Sequence, residues 1–214
     1  MRLTKEEVAR YKARLASWLR LEQVDTVMQE INQKSQLYTV SQGGLKFFRE
    51  TFVGMSCAYL THAERFRLGA DPPDFELDYG ATEQSFELVQ VMPRGWRLGH
   101  EYDAYADELN YLGHTTLKTR SHKERQAESE SIVDDVNDKL KAKLSKGYDK
   151  SIILVVDILH DLYLRTDLGH SRSLANVARS ALGSFSEIWL RQSNNLLRVS
   201  RHSTSLISGL DSDD

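Results

Sequence analysis

Apolar residues recur at three- and four-residue spacing over the N-terminal part of the chain, and this period predicts helices. Thr4 and Glu7 have the spacing of a capping box, so a helix should begin there. The stripe that follows continues with one phase slip to about residue 33, which predicts a long or broken helix. A second stripe predicts a helix over residues 45–66 that lies flat on a core. Its members are Leu45, Phe48, Phe52, Met55 and Tyr59.

The pattern changes after the two prolines Pro72 and Pro73, which interrupt a helix because they lack amide donors. Residues 75–77 and 85–91 predict the two strands of an antiparallel hairpin. The continuous β-branched run 151–159 predicts a strand that is covered on both faces in the middle of a sheet.

Further elements are predicted on both sides of this central strand. Helical spacing returns over about residues 99–112 and again around residues 173–182. Residues 185–190 and 196–199 predict a final pair of strands. A long charged helix should end near Gly147. Its buried stripe is expected to be Ile132, Val136, Leu140 and Leu144.

The order of elements predicts one α/β domain over residues 41–200 with a mixed central sheet flanked by helices. A helical extension over residues 1–40 precedes it, and we expect this long amphipathic segment to form a homodimer contact. A serine-rich, acidic tail over residues 201–214 should be disordered.

Composition narrows the class of protein. The 214 residues include 28 basic and 31 acidic side chains, a net charge of −3, which excludes a generally basic nucleic-acid coat protein. The longest apolar run, residues 152–156, is much shorter than the roughly 20 residues of a membrane-spanning helix. The charged N-terminus does not resemble a signal peptide, and the single cysteine, Cys57, is typical of a reducing compartment. We therefore expect a cytoplasmic protein with no membrane partner.

Two carboxylates are the main candidates for chemistry. Asp74 directly precedes the first strand of the predicted hairpin, and Glu87 lies on the second strand. Neighbouring strands would bring them close enough to share a hard divalent cation, Mg²⁺ or Mn²⁺, which prefers oxygen ligands. Such an ion could activate a water molecule and stabilise charge on a phosphate.

The sequence Pro73-Asp74 followed by Glu87 resembles the PD-(D/E)xK nuclease superfamily. Residues 86–102, FELVQVMPRGWRLGHEY, are also similar to bacterial proteins of that superfamily. The resemblance implies a restriction-endonuclease-like fold and a metal-dependent nuclease that hydrolyses phosphodiester bonds in DNA or RNA. It also implies that Asp74 and Glu87 hold the metal.

The family places a catalytic lysine two residues after the second acid, where this chain has Val89. Strand periodicity puts Glu87 and Val89 on one face and Gln90 on the other. Either Gln90 or a lysine from the charged helix would then orient the attacking water. The candidate lysines are Lys139, Lys141 and Lys143. The alternative is a catalytically inactive module of the same fold that binds nucleic acid or a protein, which Val89 favours.

Other charged residues have a structural and a functional interpretation. Glu50 falls about 160° from the second helical stripe, so we expect it to contact solvent rather than a metal. Asp157 in the central strand either makes a structural hydrogen bond or belongs to the active face. Two basic groups could contact phosphate, although solvated positions are favoured for both. They are Arg94, Arg97 and His100, and the segment 115–125.

Overall fold

A computed structural model describes residues 2–35, 42, 44–94, 121–159 and 168–209 of the chain. Within these ranges the protein has five helices and one sheet of eight strands. The helices are α1 (Lys5–Leu15), α2 (Leu21–Ser35), α3 (Lys46–Thr61), α4 (His122–Leu144) and α5 (Leu168–Ala181). The strands are β1 (Leu19–Arg20), β2 (Arg65–Leu68), β3 (Phe75–Asp78), β4 (Glu83–Val91), β5 (Ile153–Ile158), β6 (Ile188–Gln192), β7 (Asn195–Val199) and β8 (Thr204–Ser208).

The strands lie in the sheet in their order along the chain, from β1 to β8. The β4–β5 and β5–β6 pairs are parallel, and the other pairs are antiparallel. The predicted hairpin is the β3–β4 pair, with Phe75 opposite Phe86. The predicted central strand is β5, in which all six residues are buried. The prediction of an α/β fold with a mixed central sheet is therefore confirmed.

The sheet separates two hydrophobic cores. One core joins α1, α2 and α3 to one face of the sheet, and β5 contributes Ile153 and Val155 to it. The other core joins α4 and α5 to the opposite face, and β5 contributes Leu154 and Val156. This alternation follows from the two-residue side-chain period of a strand. The predicted stripe of the charged helix lies on α4 and packs in the second core. Ile132, Val136 and Leu140 are buried there, and Leu144 is partly buried.

The N-terminal helices share a core with the sheet. Thr4 forms the predicted capping box with Glu7, and α1 ends after Leu15. The chain then forms β1, which pairs with β2, before α2 begins. The predicted long or broken helix is thus two helices, and the segment assigned to an extension packs against α3 and the sheet.

Two boundaries differ from the sequence prediction. The helix expected over residues 45–66 ends at Thr61, because His62 adopts a left-handed conformation with φ of 58° and caps it. The alternating segment after His62 forms β2 instead. The tail expected to be disordered from residue 201 contains β8, which pairs with β7 along its length. The predicted helix over residues 99–112 lies outside the described residues.

No helix in the described ranges is long and apolar enough to cross a bilayer.

Candidate functional site

Asp74 directly precedes β3, at the end of the strand where its pairing with β4 stops. Its amide donates to the carbonyl of Phe86 at 2.9 Å, and its Oδ2 accepts from the amide of Leu88 at 2.7 Å. Pro73, which precedes it, has no amide to continue the ladder. The carboxylate of Asp74 therefore takes the place of a backbone acceptor, and β4 continues beyond β3.

The first two turns of α3 face this part of β4. Lys46 Nζ lies 3.1 Å from Asp74 Oδ1 and 2.8 Å from Glu50 Oε1. Lys46 and Glu50 are four residues apart, so they lie on the same face of the helix. One ammonium group thus serves two carboxylates that come from different elements.

The expectation that Glu50 contacts solvent is wrong, since only 8% of the residue is exposed. The large apolar side chains used to place the buried face of α3 include Phe52 and Tyr59, which are 55% and 51% exposed. The face that packs on the sheet carries Gly54, where a Cβ would lie 2.5 Å from the ring of Phe66. Close helix–sheet contact selects small residues, and the pattern of large residues therefore gave the wrong phase.

Burial is the main influence on the pKa of Glu50. Burial raises the pKa of Glu50 to about 7, and the Asp74 carboxylate raises it while Lys46 opposes the change. Burial alone would lower the pKa of Lys46, but Glu50 and Asp74 outweigh it and raise that pKa above its usual value. Lys46 therefore compensates Glu50 only in part, and Glu50 takes up a proton more readily than an ordinary glutamate.

Gln90 lies on the same face of β4 as α3, as the strand period predicts. Its Oε1 accepts from Arg49 Nη1 at 3.1 Å, and its Nε2 donates to Asp157 Oδ2 at 3.0 Å. Asp157 forms a buried ion pair with Arg191, which also donates to Ser56 Oγ at 3.1 Å. Asp157 therefore makes structural contacts and also contacts a candidate site residue.

Glu87 points to the opposite layer of helices. Its Oε1 pairs with Lys143 Nζ on α4 and accepts from the hydroxyl of Tyr148 at 2.8 Å. Burial would lower the pKa of Lys143, but Glu87 outweighs it and raises that pKa. A lysine from the charged helix does reach the second predicted acid, and that lysine is Lys143. Glu87 Oε2 is buried and has no hydrogen-bond partner among the described residues.

A cavity of about 280 Å³ opens where β4 continues past β3. Asp74 and Gln90 line it together, whereas Glu87 is not among its lining residues. The opposite helix layer contributes Lys139. The residues that line the cavity are Lys46, Arg49, Glu50, Asp74, Leu88, Val89, Gln90 and Lys139. Sequence reasoning missed Lys46 and Arg49. The only signal was for Lys46, which is four residues before Glu50 on a predicted helix.

Of the other predicted phosphate contacts, Arg94 is described and does not line the cavity. Arg94 donates to Asp135 at 2.8 Å and is thus part of an ion pair. Arg97, His100 and residues 115–120 lie outside the described ranges.

The carboxylate oxygens in the cavity are suitable ligands for a hard divalent cation. Glu50 Oε1 is buried and, within the described residues, meets Lys46 as an ion pair without an aligned hydrogen bond. The described ranges contain no group of three or more Asp, Glu, His or Cys residues that could hold a metal. Mg²⁺ commonly uses one or two carboxylates and completes its shell with water and substrate phosphate, so Glu50 and Asp74 meet its needs.

Comparison with known proteins finds no matching family, curated protein or solved structure.

Proposed function

We propose that the protein is a divalent-metal-dependent phosphodiesterase that acts on nucleic acid and has a restriction-endonuclease-like form of the α/β fold. The observation that carries the proposal is the pair of buried carboxylates, Glu50 and Asp74, in a cavity bordered by cationic side chains. Keeping two carboxylates together is costly unless a cation compensates them. One cation, Lys46, lies between them, and the open cavity beside the pair leaves room for a further cation.

Asp74 and Glu50 would hold Mg²⁺ or Mn²⁺. Glu87, the second ligand that the sequence resemblance implies, does not line this cavity and is paired with Lys143. When bound, the ion would lower the pKa of a water molecule and offset charge on a phosphate. Lys46 and Lys139 supply positive charge at the cavity, where a phosphodiester carries a negative charge. These residues come from the segment before β3 and from both helix layers, so the fold itself assembles the site.

A second candidate function is a nuclease-like module that binds nucleic acid or a protein without cleaving it. Two observations favour it. Val89 occupies the position at which the resembling family has its lysine, and Glu87 is already held by Lys143 and Tyr148. Lys46 likewise compensates both carboxylates of the cavity.

The deciding experiment is cleavage of labelled single- and double-stranded DNA and RNA by the full chain, with Mn²⁺, Mg²⁺ or EDTA. We expect cleavage only with metal, reduced by about 100-fold or more in Asp74→Asn and in Glu50→Gln. Asp78→Asn is the matched control, because Asp78 is a buried carboxylate at the far end of β3 that pairs with Arg65 and does not line the cavity. Glu87→Gln tests whether the second predicted acid acts with Asp74.

Cleavage that continues in EDTA, or that is unchanged in both cavity variants, would contradict the proposal. No cleavage of any of the four substrates would favour the binding module.

A further inference from the structure

Arg49 lines the cavity and is held there by a neutral residue, Gln90, rather than by a carboxylate. Lys46 is paired with Asp74, Lys143 with Glu87 and Arg191 with Asp157. Among the described residues, no carboxylate forms an ion pair with Arg49. A guanidinium has five N–H donors, and the contact to Gln90 uses one of them. Arg49 therefore lines the cavity with donors and a full charge available to an anion.

The orientation of the Gln90 amide is fixed by its two partners. Its oxygen faces the guanidinium of Arg49, and its nitrogen faces the carboxylate of Asp157. The reversed amide would place NH₂ against a cation and a carbonyl against an anion, so only one orientation satisfies both contacts. Gln90 thus presents an acceptor to Arg49 for a definite physical reason.

The residue that accepts from Gln90, Asp157, belongs to a buried ion pair. Asp157 and Arg191 are 2% and 5% exposed, and they form an ion pair between neighbouring strands. Arg191 also donates to Ser56 of α3, the helix that carries Arg49. A continuous chain of side chains therefore runs from Arg191 through Asp157 and Gln90 to Arg49.

From this arrangement we infer that Arg49 is the residue that binds a substrate phosphate in the cavity, and that Gln90 and Asp157 are positioning residues for its guanidinium. The planar fork of an arginine matches the oxygens of a phosphate and can bind two of them at once. The inference rests on the proposed function for the identity of the anion, a phosphodiester of a nucleic acid. It assigns Gln90 to phosphate binding through Arg49 rather than to orienting the attacking water.

The test measures binding without hydrolysis. The full chain is titrated in EDTA against fluorescein-labelled single-stranded DNA, followed by fluorescence anisotropy, with inorganic phosphate as competitor. We expect Arg49→Ala to weaken binding by about tenfold or more, which is typical for loss of a charged hydrogen-bonding group. Arg14 of α1 forms an exposed ion pair with Glu30 of α2. Arg14→Ala removes the same charge as Arg49→Ala, so it controls for net charge.

The positioning role has its own readout. Gln90→Met keeps the volume but removes the acceptor, and we expect it to weaken binding by a smaller factor than Arg49→Ala. The double variant should bind no more weakly than Arg49→Ala alone, because Gln90 acts only through Arg49. Arg49→Lys restores charge without the fork, so it should bind with intermediate affinity and be insensitive to Gln90→Met.

Failure of this inference is distinguishable from failure of the proposed function. Binding that requires Arg49 in a protein that cleaves nothing would support the inference and reject catalysis. Metal-dependent cleavage by a protein whose Arg49→Ala variant binds DNA as the Arg14→Ala control does would reject the inference alone. Additive effects of Arg49→Ala and Gln90→Met would reject the positioning role. Absence of DNA and phosphate binding by the unmodified chain would overturn the inference entirely.

Discussion

In the absence of metal, the ionised Glu50 side chain destabilises the folded protein, and Glu50→Gln should remove this destabilisation. With a pKa of about 7 against an ordinary 4.5, its protonated form is favoured in the folded state. Stability should therefore fall as the pH rises from 4.5 through 7. We expect Glu50→Gln to melt at a higher temperature than the unmodified chain at pH 8 in EDTA, and at a similar temperature at pH 5.

Asp78 provides the control of opposite sign. Arg65 and the amide of Gly80 hold the pKa of Asp78 below its ordinary 3.8. Its charged form therefore stabilises the fold above pH 3.8, and this contribution is lost as the pH falls through the lowered value. Asp78→Asn should reduce the melting temperature at pH 8, and the loss should shrink in acid. A Glu50→Gln variant that is destabilised at pH 8 as Asp78→Asn is would contradict the destabilisation assigned to ionised Glu50.

Cys57 should be unreactive in the folded protein. Its side chain is fully buried in α3, and burial raises the pKa of the thiol to about 12. Disulfide exchange and alkylation require the thiolate, which is scarce at pH 8 when the pKa is that high. We expect no reaction with an aromatic disulfide reagent at pH 8 until urea unfolds the chain, after which one thiol is titrated. Rapid labelling under native conditions would contradict the packing of α3.

At the scale of elements, the spacing of apolar residues and the positions of turn-forming residues predicted most of the fold. The hairpin β3–β4, the buried strand β5 and the stripe of α4 all follow from patterns local to their segments. The phase of α3 could not be predicted in this way, because it depends on how closely the helix approaches the sheet. Strand β8 was missed for a related reason, since pairing with β7 orders a polar segment.

The candidate site shows the same limit. Asp74 and Gln90 were identified from the sequence, and the structure brings both into one cavity. Glu50 was rejected because its position was measured from Phe52 and Tyr59, which proved to be exposed. A site assembled from two helix layers and a strand end depends on tertiary geometry that local periodicity does not contain.

The contact between α3 and the sheet makes a direct prediction about Gly54. A Cβ at this position would lie 2.5 Å from the ring of Phe66 and 3.0 Å from that of Phe75. Alanine favours a helix over glycine by about 1 kcal/mol, whereas overpacking costs about 1–3 kcal/mol. We expect Gly54→Ala to be net destabilising in urea unfolding. Gly183→Ala, whose Cβ would meet nothing within 4 Å, should not lower stability.

At the scale of the whole molecule, the site joins the two helix layers across the sheet. The layer of α1 to α3 contributes Lys46 and Glu50, and the opposite layer contributes Lys139 from α4. The cavity therefore exists only when both layers are docked. An ion held by Glu50 and Asp74 would bind the folded chain and not the unfolded one, so it should stabilise the molecule as a unit.

This linkage predicts a rise in melting temperature with Mn²⁺. A concentration of 100 times the dissociation constant adds about 2.7 kcal/mol, which is about 5–10 °C for a chain of this size. Asp74→Asn and Glu50→Gln should abolish the rise, whereas Asp78→Asn should keep it. KCl at the same ionic strength separates specific binding from screening. An equal rise in all variants would show that Mn²⁺ acts elsewhere, and a rise lost only in the cavity variants would establish the carboxylate pair as an ion site independently of any cleavage.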